Sequence, residues 1–353
     1  MEKFERYYSG KNVLIAGGLG FIGSNLADKL VGLGARVSII DWRSETMNID
    51  DFKDRIILYE GDVGKPISAI AVRGKDIIFD LEEVIEQVPL ATDKLGKIKD
   101  EEEIEWSVRR HRSIADAAFC SLNQGLGRIV YPSSKVVYGD VDENNLPVKE
   151  DTPMRPLSRY AMVKARTEEM FAGFCNEGFD IRVLRLTVPY GPKSQIKHPG
   201  FGIVGWFMRQ ALEGNDVTVF GEGKQLADYV YVGDVVDALL VAGYHPNAIG
   251  KTYNVGSGHP TAVVDMAHEV VKAAKSGKVV HTPMPEDIIK SGKSGSMYVD
   301  TSKIKGELGW SPKYSFKKGI QKTADFYRGK NILMRYKNAT LVNKEELKRQ
   351  NTV

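Results

Sequence analysis

The run Val13-Leu14-Ile15-Ala16-Gly17-Gly18-Leu19-Gly20-Phe21-Ile22-Gly23 limits what this chain can fold into more than any other stretch. An apolar segment ends on closely spaced glycines, and Ile22, Leu26 and Leu30 then recur at helical spacing. The pattern predicts a buried strand, a tight turn and a helix. Glycines permit the sharp turn and the close approach of a ligand. The helix N-terminus offers N–H groups and partial positive charge to a pyrophosphate. In that setting Gly18-x-Gly20-x-x-Gly23 fits the dinucleotide fingerprint, as does the overlapping Gly17-x-x-Gly20-x-x-Gly23. Gly17, Gly20, Phe21, Ile22 and Gly23 form the expected cradle.

About twenty residues past the glycines, Arg36-Val37-Ser38-Ile39-Ile40-Asp41 reads as a second strand closing on an acid. A carboxylate there accepts hydrogen bonds from adenosine ribose hydroxyls and repels a 2′-phosphate. Asp41 therefore favours NAD, while Arg43 keeps NADP open. The plain alternative is a solvated acid at a strand end. Gly61-Asp62-Val63 follows a third strand. There Asp62, with Val63 beside it, is placed to meet the adenine amino group, or else forms a polar turn.

At 353 residues the chain can bury a large core, as one large domain or two close-knit ones. Its 49 Lys plus Arg nearly balance 46 Asp plus Glu, which argues against a nucleic-acid or membrane-surface field. Cys120 and Cys175 give no disulfide framework and fit a reducing compartment. No apolar run approaches the ~20 residues of a membrane span, and the first residues carry no apolar signal core. A cytoplasmic location is expected. Histidines 111, 198, 245, 259, 268 and 281 lack ligand spacing, so no metal site is expected.

Strand-like runs alternate with helical ones: Val13–Ala16, Val37–Ile40, Ile56–Tyr59, Ile77–Phe79, Arg128–Tyr131 and Ile181–Leu186. This alternation predicts an α/β fold, a Rossmann-type doubly wound parallel sheet with a smaller C-terminal α/β substrate subdomain. Residues 1–187 are read as the cofactor domain, to which the chain returns around 228–250. Residues 188–227 and 251–328 are read as the substrate part. Tyr190 to Gly205 reads as a long functional loop, Trp206 to Glu213 as a helix, and Val217 to Phe220 as a strand. Residues 329–353 form a polar tail, docked as a helix or frayed.

Candidate chemistry lies further on. Arg128 to Gly139 is a buried strand ending in Ser133-Ser134, and Ser158-Arg159-Tyr160-Ala161-Met162-Val163-Lys164 comes later. On a helix Tyr160 and Lys164 share one face. An ammonium near a phenol favours the phenolate and lowers its pKa, as does a positively charged nicotinamide. Tyr160 then serves as general base on a substrate hydroxyl, with Ser134 sharing the hydrogen bond. Without the glycine loop, such a pair reads as ordinary surface or packing residues.

These features resemble the extended short-chain dehydrogenase/reductases, specifically the NAD-dependent epimerase/dehydratase group acting on nucleotide sugars. The likeness runs from about residue 10 to about 325. It rests on the glycine loop, Gly61-Asp62-Val63, Ser133-Ser134 before Val137-Tyr138-Gly139, and Tyr160-x-x-x-Lys164. It continues through Leu184-Arg185-Leu186-Thr187, Pro189-Tyr190-Gly191-Pro192, Tyr229-Val230-Tyr231-Val232, Tyr253-Asn254-Val255-Gly256 and Leu308-Gly309-Trp310-Ser311-Pro312. The resemblance implies transient oxidation of a sugar carbon by bound NAD, with Tyr160 as acid/base and Lys164 holding the nicotinamide ribose. It also implies a homodimer through helices near 108–124 and 158–175.

The chain departs from the family mainly around the substrate and nicotinamide. After the fourth strand, where the family has small residues, it has Asp80-Leu81-Glu82-Glu83, with Leu81 at the cofactor. The acids repel a pyrophosphate unless they point away or form an extra acid/base pair. A solvated helix start is the plainer reading. Val188 replaces a substrate-binding Asn. Ala227 replaces an arginine that grips the diphosphate, and Met284-Pro285-Glu286-Asp287 lacks a second one. Thr187, Val188, Ser134, Lys193 and His198 remain candidate substrate contacts; Lys193, Lys197, Lys290 or Lys293 are candidate replacement charges. Lys135 and Val136 stand where 4,6-dehydratases carry an Asp-Glu pair, which argues against that chemistry. Three readings stay open. The first is an NAD-dependent sugar epimerase or oxidoreductase on a nucleotide-linked sugar. The second is a relative whose substrate lacks a conventionally bound diphosphate, and the third an NAD-binding homologue without turnover.

Overall fold

A computed structural model of the chain describes residues 3–83, 100–120, 127–285, 295–329 and 332–338. Its centre is a seven-stranded sheet. Six strands follow in chain order: β1 (Asn12–Ala16), β2 (Arg36–Asp41), β3 (Ile57–Glu60), β4 (Ile77–Asp80), β5 (Arg128–Ser134) and β6 (Ile181–Leu186). The seventh, Thr252–Val255, lies beside β6. Every pairing is parallel, in the order Thr252–Val255, β6, β5, β4, β1, β2, β3. Thr252–Val255, expected in the substrate part, thus belongs to the main sheet. The strand order reverses between β1 and β4, and at such a point the loops leaving the strands part to leave a crevice for a ligand.

Strand alternation explains the two-sided core. Val13 and Ile15 face a cluster containing Leu26, Leu30 and Leu239. Their neighbours Leu14 and Ala16 face the opposite cluster, with Ile114, Ala115 and Phe171. Helices α1 (Lys3–Tyr8), α2 (Phe21–Gly32) and Val232–Tyr244 cover the first side. Helices α3 (Ile67–Val72), α4 (Glu101–Cys120) and α5 (Arg159–Asn176) cover the other. Ser158 starts α5 by accepting the Ala161 N–H at 3.1 Å, which satisfies one otherwise orphaned donor.

The remaining chain builds a separate apolar cluster around Phe207, Met208, Met266, Val270, Ile320 and Tyr327. Short strand pairs flank it, including Val188–Tyr190 with Tyr229–Tyr231 and Val217–Phe220 with Val279–Thr282. Helix Ile203–Leu212 begins inside the segment read as loop, because Val204, Phe207, Met208 and Ala211 supply a buried stripe. β5 extends three residues past Tyr131 and keeps pairing with β6 up to Ser134↔Leu186. Of the polar tail, helix Ile332–Asn338 docks: Arg335 meets Asp50 at 2.7 Å, and the Tyr336 hydroxyl donates to Asn48. Residues 339–353, Glu286-Asp287, Lys290 and Lys293 lie outside the described residues.

Candidate active site

The glycine loop leaves β1 where strand order reverses. Gly17 has φ +72°, and a Cβ on it would meet the Leu81 carbonyl oxygen at 2.4 Å. A Cβ on Gly23 would meet the Gly17 oxygen at 2.5 Å. Both positions therefore require glycine, for the turn and for packing of helix on loop. Gly20 precedes the first residue of α2, so the N–H groups of Phe21, Ile22 and Gly23 have no acceptor within the helix ladder. Leu81 donates its N–H to Ala16 at 3.0 Å and holds the end of β4 against the loop. Residues 17–23 form a tight turn running into the start of α2.

Asp41 ends β2 fully buried. Its carboxylate accepts the Leu19 N–H at 3.0 Å and the Arg43 N–H at 3.0 Å. The Arg43 guanidinium adds two charged bonds, at 2.9 and 2.8 Å. The ribose acceptor expected from the sequence is thus already engaged by its neighbour. Asp62 is engaged too: it accepts the Gly64 N–H at 2.7 Å and pairs with Arg110 of α4. Val63 is fully buried behind it.

Asp80, which ends β4, and the two acids after it are not solvated; each takes a basic partner. Asp80 meets His111 Nδ1 at 2.8 Å, Glu82 meets Arg110 at 2.5 Å, and Glu83 meets Lys164 at 2.5 Å. Burial pushes the Glu82 carboxyl up against the pull of Arg110. Pairing removes the repulsion that free acids would exert on a bound pyrophosphate.

Lys164 is buried, with its Nζ 3.0 Å from the Pro132 carbonyl and 4.5 Å from the centre of the Tyr131 ring. It stands 5.7 Å from the centre of the Tyr160 ring. Burial alone would strip its proton, but Glu83, Tyr131 and Tyr160 outweigh that and hold the ammonium well above the usual lysine range. Ser134, at the end of β5, accepts the Val136 N–H on its Oγ at 3.4 Å and pulls the Tyr160 phenol down. The sequence predicts a phenol lowered by Lys164, yet its net direction is upward. Desolvation raises it most, Glu83 raises it further, and Lys164 and Ser134 only partly offset them. The structure brings Ser134, Tyr160 and Lys164 together at the sheet's C-terminal edge beside the glycine loop.

On the substrate side, Thr187 is buried, its N–H donating to Val255 at 3.0 Å and its hydroxyl without a partner. Val188 is half-buried and pairs through its N–H with the Asp228 carbonyl. Lys193 Nζ lies over the Phe52 ring at 5.2 Å; burial pushes the amine down, with Asp28 and Asp51 resisting. His198 is exposed and its Nδ1 accepts the Gly200 N–H at 3.0 Å. Lys135 reaches the Met297 carbonyl at 3.3 Å, and Met297 bridges to Ala227. Burial pushes Lys135 down to about 8, with Asp228 resisting.

A model of the NAD dependent epimerase/dehydratase family matches residues 13–256. The chain belongs to that family. Membership makes it an NAD-dependent enzyme of the epimerase/dehydratase type. Among curated relatives, a UDP-N-acetyl-alpha-D-glucosaminuronate decarboxylase of Bacillus cytotoxicus is 28% identical over 90% of this chain and 98% of its own. A UDP-glucose 4-epimerase of Mycolicibacterium smegmatis is 29% identical over 90% and 99%. The UDP-glucose 4-epimerase of Thermotoga maritima, solved with UDP-glucose, superposes with a TM-score of 0.76 at 26% identity, covering 90% and 98%.

The residues present suit NAD: a cradle that Cβ atoms would fill, a helix N-terminus facing it, and an acid at the end of β2. Among the described residues no cluster suits a metal, and no helix is long and apolar enough to cross a membrane. The sequence reading missed Arg110 and His111, the two partners that α4 supplies. Their only local signal is adjacency on one helix; their acids lie 28 and 31 residues away.

Proposed function

We propose that the protein is an NAD-dependent epimerase acting on a nucleotide-linked sugar, with Tyr160 as its acid/base. The observation that carries this reading is the convergence of Ser134, Tyr160 and Lys164 beside the glycine loop. Gly17, Gly20, Phe21, Ile22, Gly23, Asp41, Asp62, Val63 and Leu81 would hold the cofactor, with Tyr160 and Lys164 at its nicotinamide end. When bound, oxidised nicotinamide supplies the acceptor for hydride from the sugar carbon. Tyr160 takes the hydroxyl proton, Ser134 orients that hydroxyl, and Lys164 anchors the ribose side. An epimerisation would be complete when hydride returned to the opposite face of the carbon and Tyr160 gave its proton back to the oxygen. The UDP-sugar relatives support this class of substrate.

Thr187 and Val188 line the substrate end in this reading. Lys135 brings a cation to the segment paired with Ala227, where the family arginine is missing. That cation also supports a second reading, a uronic-acid sugar that decarboxylates once its neighbouring carbon is oxidised; the decarboxylase relative points the same way. Lys135 and Val136 cannot do a carboxylate's work, so 4,6-dehydration is not proposed. A substrate half built on residues 188–227 and the later non-sheet segments, a homodimer through α4 and α5, and a cytoplasmic setting belong to the same proposal.

The test is to release and quantify bound NAD, then assay UDP-hexoses and UDP-uronic acids for epimerisation and CO2 release. Tyr160→Phe serves as control. Bound NAD without conversion of any nucleotide sugar would sink the reading.

A further inference from the structure

The Glu83–Lys164 pair bears on when Tyr160 becomes a base, an inference that rests on Tyr160 being the acid/base of the proposed reaction. Lys164 meets a carbonyl, an aromatic face and the Glu83 carboxylate, the last at 2.5 Å. Among the described residues, the charges on the neighbouring elements have partners. On α5 itself, Arg159 is taken by Asp100 at 3.1 Å and Glu103 at 2.5 Å, both from α4 or its start. At the end of β4, Asp80 is paired with His111 and Glu82 with Arg110. β5 presents only the neutral Tyr131 and Ser134.

An unopposed ammonium within ~4–6 Å lowers an acid's pKa by roughly one to three units. Here the ammonium is opposed by a buried carboxylate in direct contact, and Tyr160 faces a weakened charge. We propose that Glu83 is a positioning residue that offsets part of the field of Lys164, so that Tyr160 keeps its proton until an oxidised nicotinamide brings an uncompensated positive charge. On that binding the phenolic proton leaves to solvent. A reduced, neutral nicotinamide brings no such charge, and the proton stays. Glu83 thereby ties the base to the presence of a cofactor able to oxidise, and favours the oxidised form over the reduced one.

Glu83→Gln keeps the shape and removes the charge. In cofactor-free protein, the phenolate absorbance of Tyr160 is read as the difference between each protein and its Tyr160→Phe counterpart. Glu83→Gln is expected to lower that titration by at least about one pH unit, and Glu83→Asp to leave it near wild type. By calorimetry in buffers of different ionisation heat, wild type is expected to release a proton on binding NAD+ but not NADH. Glu83→Gln is expected to release less, and to shift relative affinity toward NADH by roughly tenfold. Identical Tyr160 titrations in wild type and Glu83→Gln, with unchanged circular dichroism, overturn the proposal. Undiminished turnover in Tyr160→Phe removes the base assignment instead. The titration shift then still decides whether Glu83 offsets Lys164.

Discussion

Arg43 folds back on Asp41 as a two-pronged clasp, its Nε 2.9 Å from one carboxylate oxygen and a terminal nitrogen 2.8 Å from the other. The same guanidinium lies over Gly20, 3.2 Å from where a Cβ would sit. With two backbone N–H groups also bound, the carboxylate has little left to offer a ribose until Arg43 moves. If Asp41 meets the adenosine ribose as proposed, a released Arg43 would be a cation near the 2′ position and would soften the rejection of a 2′-phosphate by Asp41. Arg43→Ala is expected to weaken NADP binding at least about tenfold and to leave NAD binding equal or tighter. Equal losses for both cofactors, measured by fluorescence titration, would refute this role.

Two glycines of α2 should respond oppositely to alanine. A Cβ at Gly23 meets backbone atoms of Gly17 and Gly18 at 2.5 and 2.8 Å, whereas at Gly32 nothing lies within 4 Å. Gly23→Ala is expected to cost ~1–3 kcal/mol and to abolish NAD retention, since the loop must shift to admit the methyl. Gly32→Ala, at the last helical residue, is expected to stabilise by up to ~1 kcal/mol with NAD binding intact. Thermal melts with NAD content measured on the same samples check both.

Much of this was legible because its signals are local. Glycine spacing, alternating buried strands and the four-residue step from Tyr160 to Lys164 each depend on neighbours along the chain. The partners of Asp80, Glu82 and Glu83 were not legible. They depend on where α4 and α5 cross the end of β4, and no local pattern encodes that juxtaposition. Read without those partners, the acids look solvated or catalytic; with them, they are held by a histidine, an arginine and a lysine. The position of Lys193 was not legible for the same reason. Its left-handed backbone, φ 69°, belongs to a side chain that lies over Phe52.

Lys135 should trade stability for function. Its pKa falls to about 8 because burial disfavours the charge, with Asp228 resisting. Below that pH the amine is charged in both folded and unfolded chains, and the folded state bears the desolvation cost. Between about 8 and the unfolded value near 10.4 only the unfolded chain holds the proton, so this residue's contribution to stability rises with pH. Lys135→Met is therefore expected to be more stable at pH 7 by ~1–2 kcal/mol, allowing for the partial exposure of the side chain. The gap should narrow toward pH 10. The same variant should raise KM for a nucleotide sugar more than it lowers kcat. Denaturant melts across pH, with steady-state kinetics, test both halves; a destabilised variant with unchanged KM would refute the assignment.

The most direct measurement tracks a single turnover of a nucleotide sugar deuterated at the carbon to be oxidised. Absorbance at 340 nm reports reduced cofactor, and mass spectrometry reports the label in the product. The account predicts a 340 nm signal that rises and decays and an epimer that retains its deuterium. Both processes should slow by roughly 10²–10⁴-fold in Tyr160→Phe. An epimer that has exchanged its label with solvent without any 340 nm transient, or a Tyr160→Phe variant running at the wild-type rate, would contradict it.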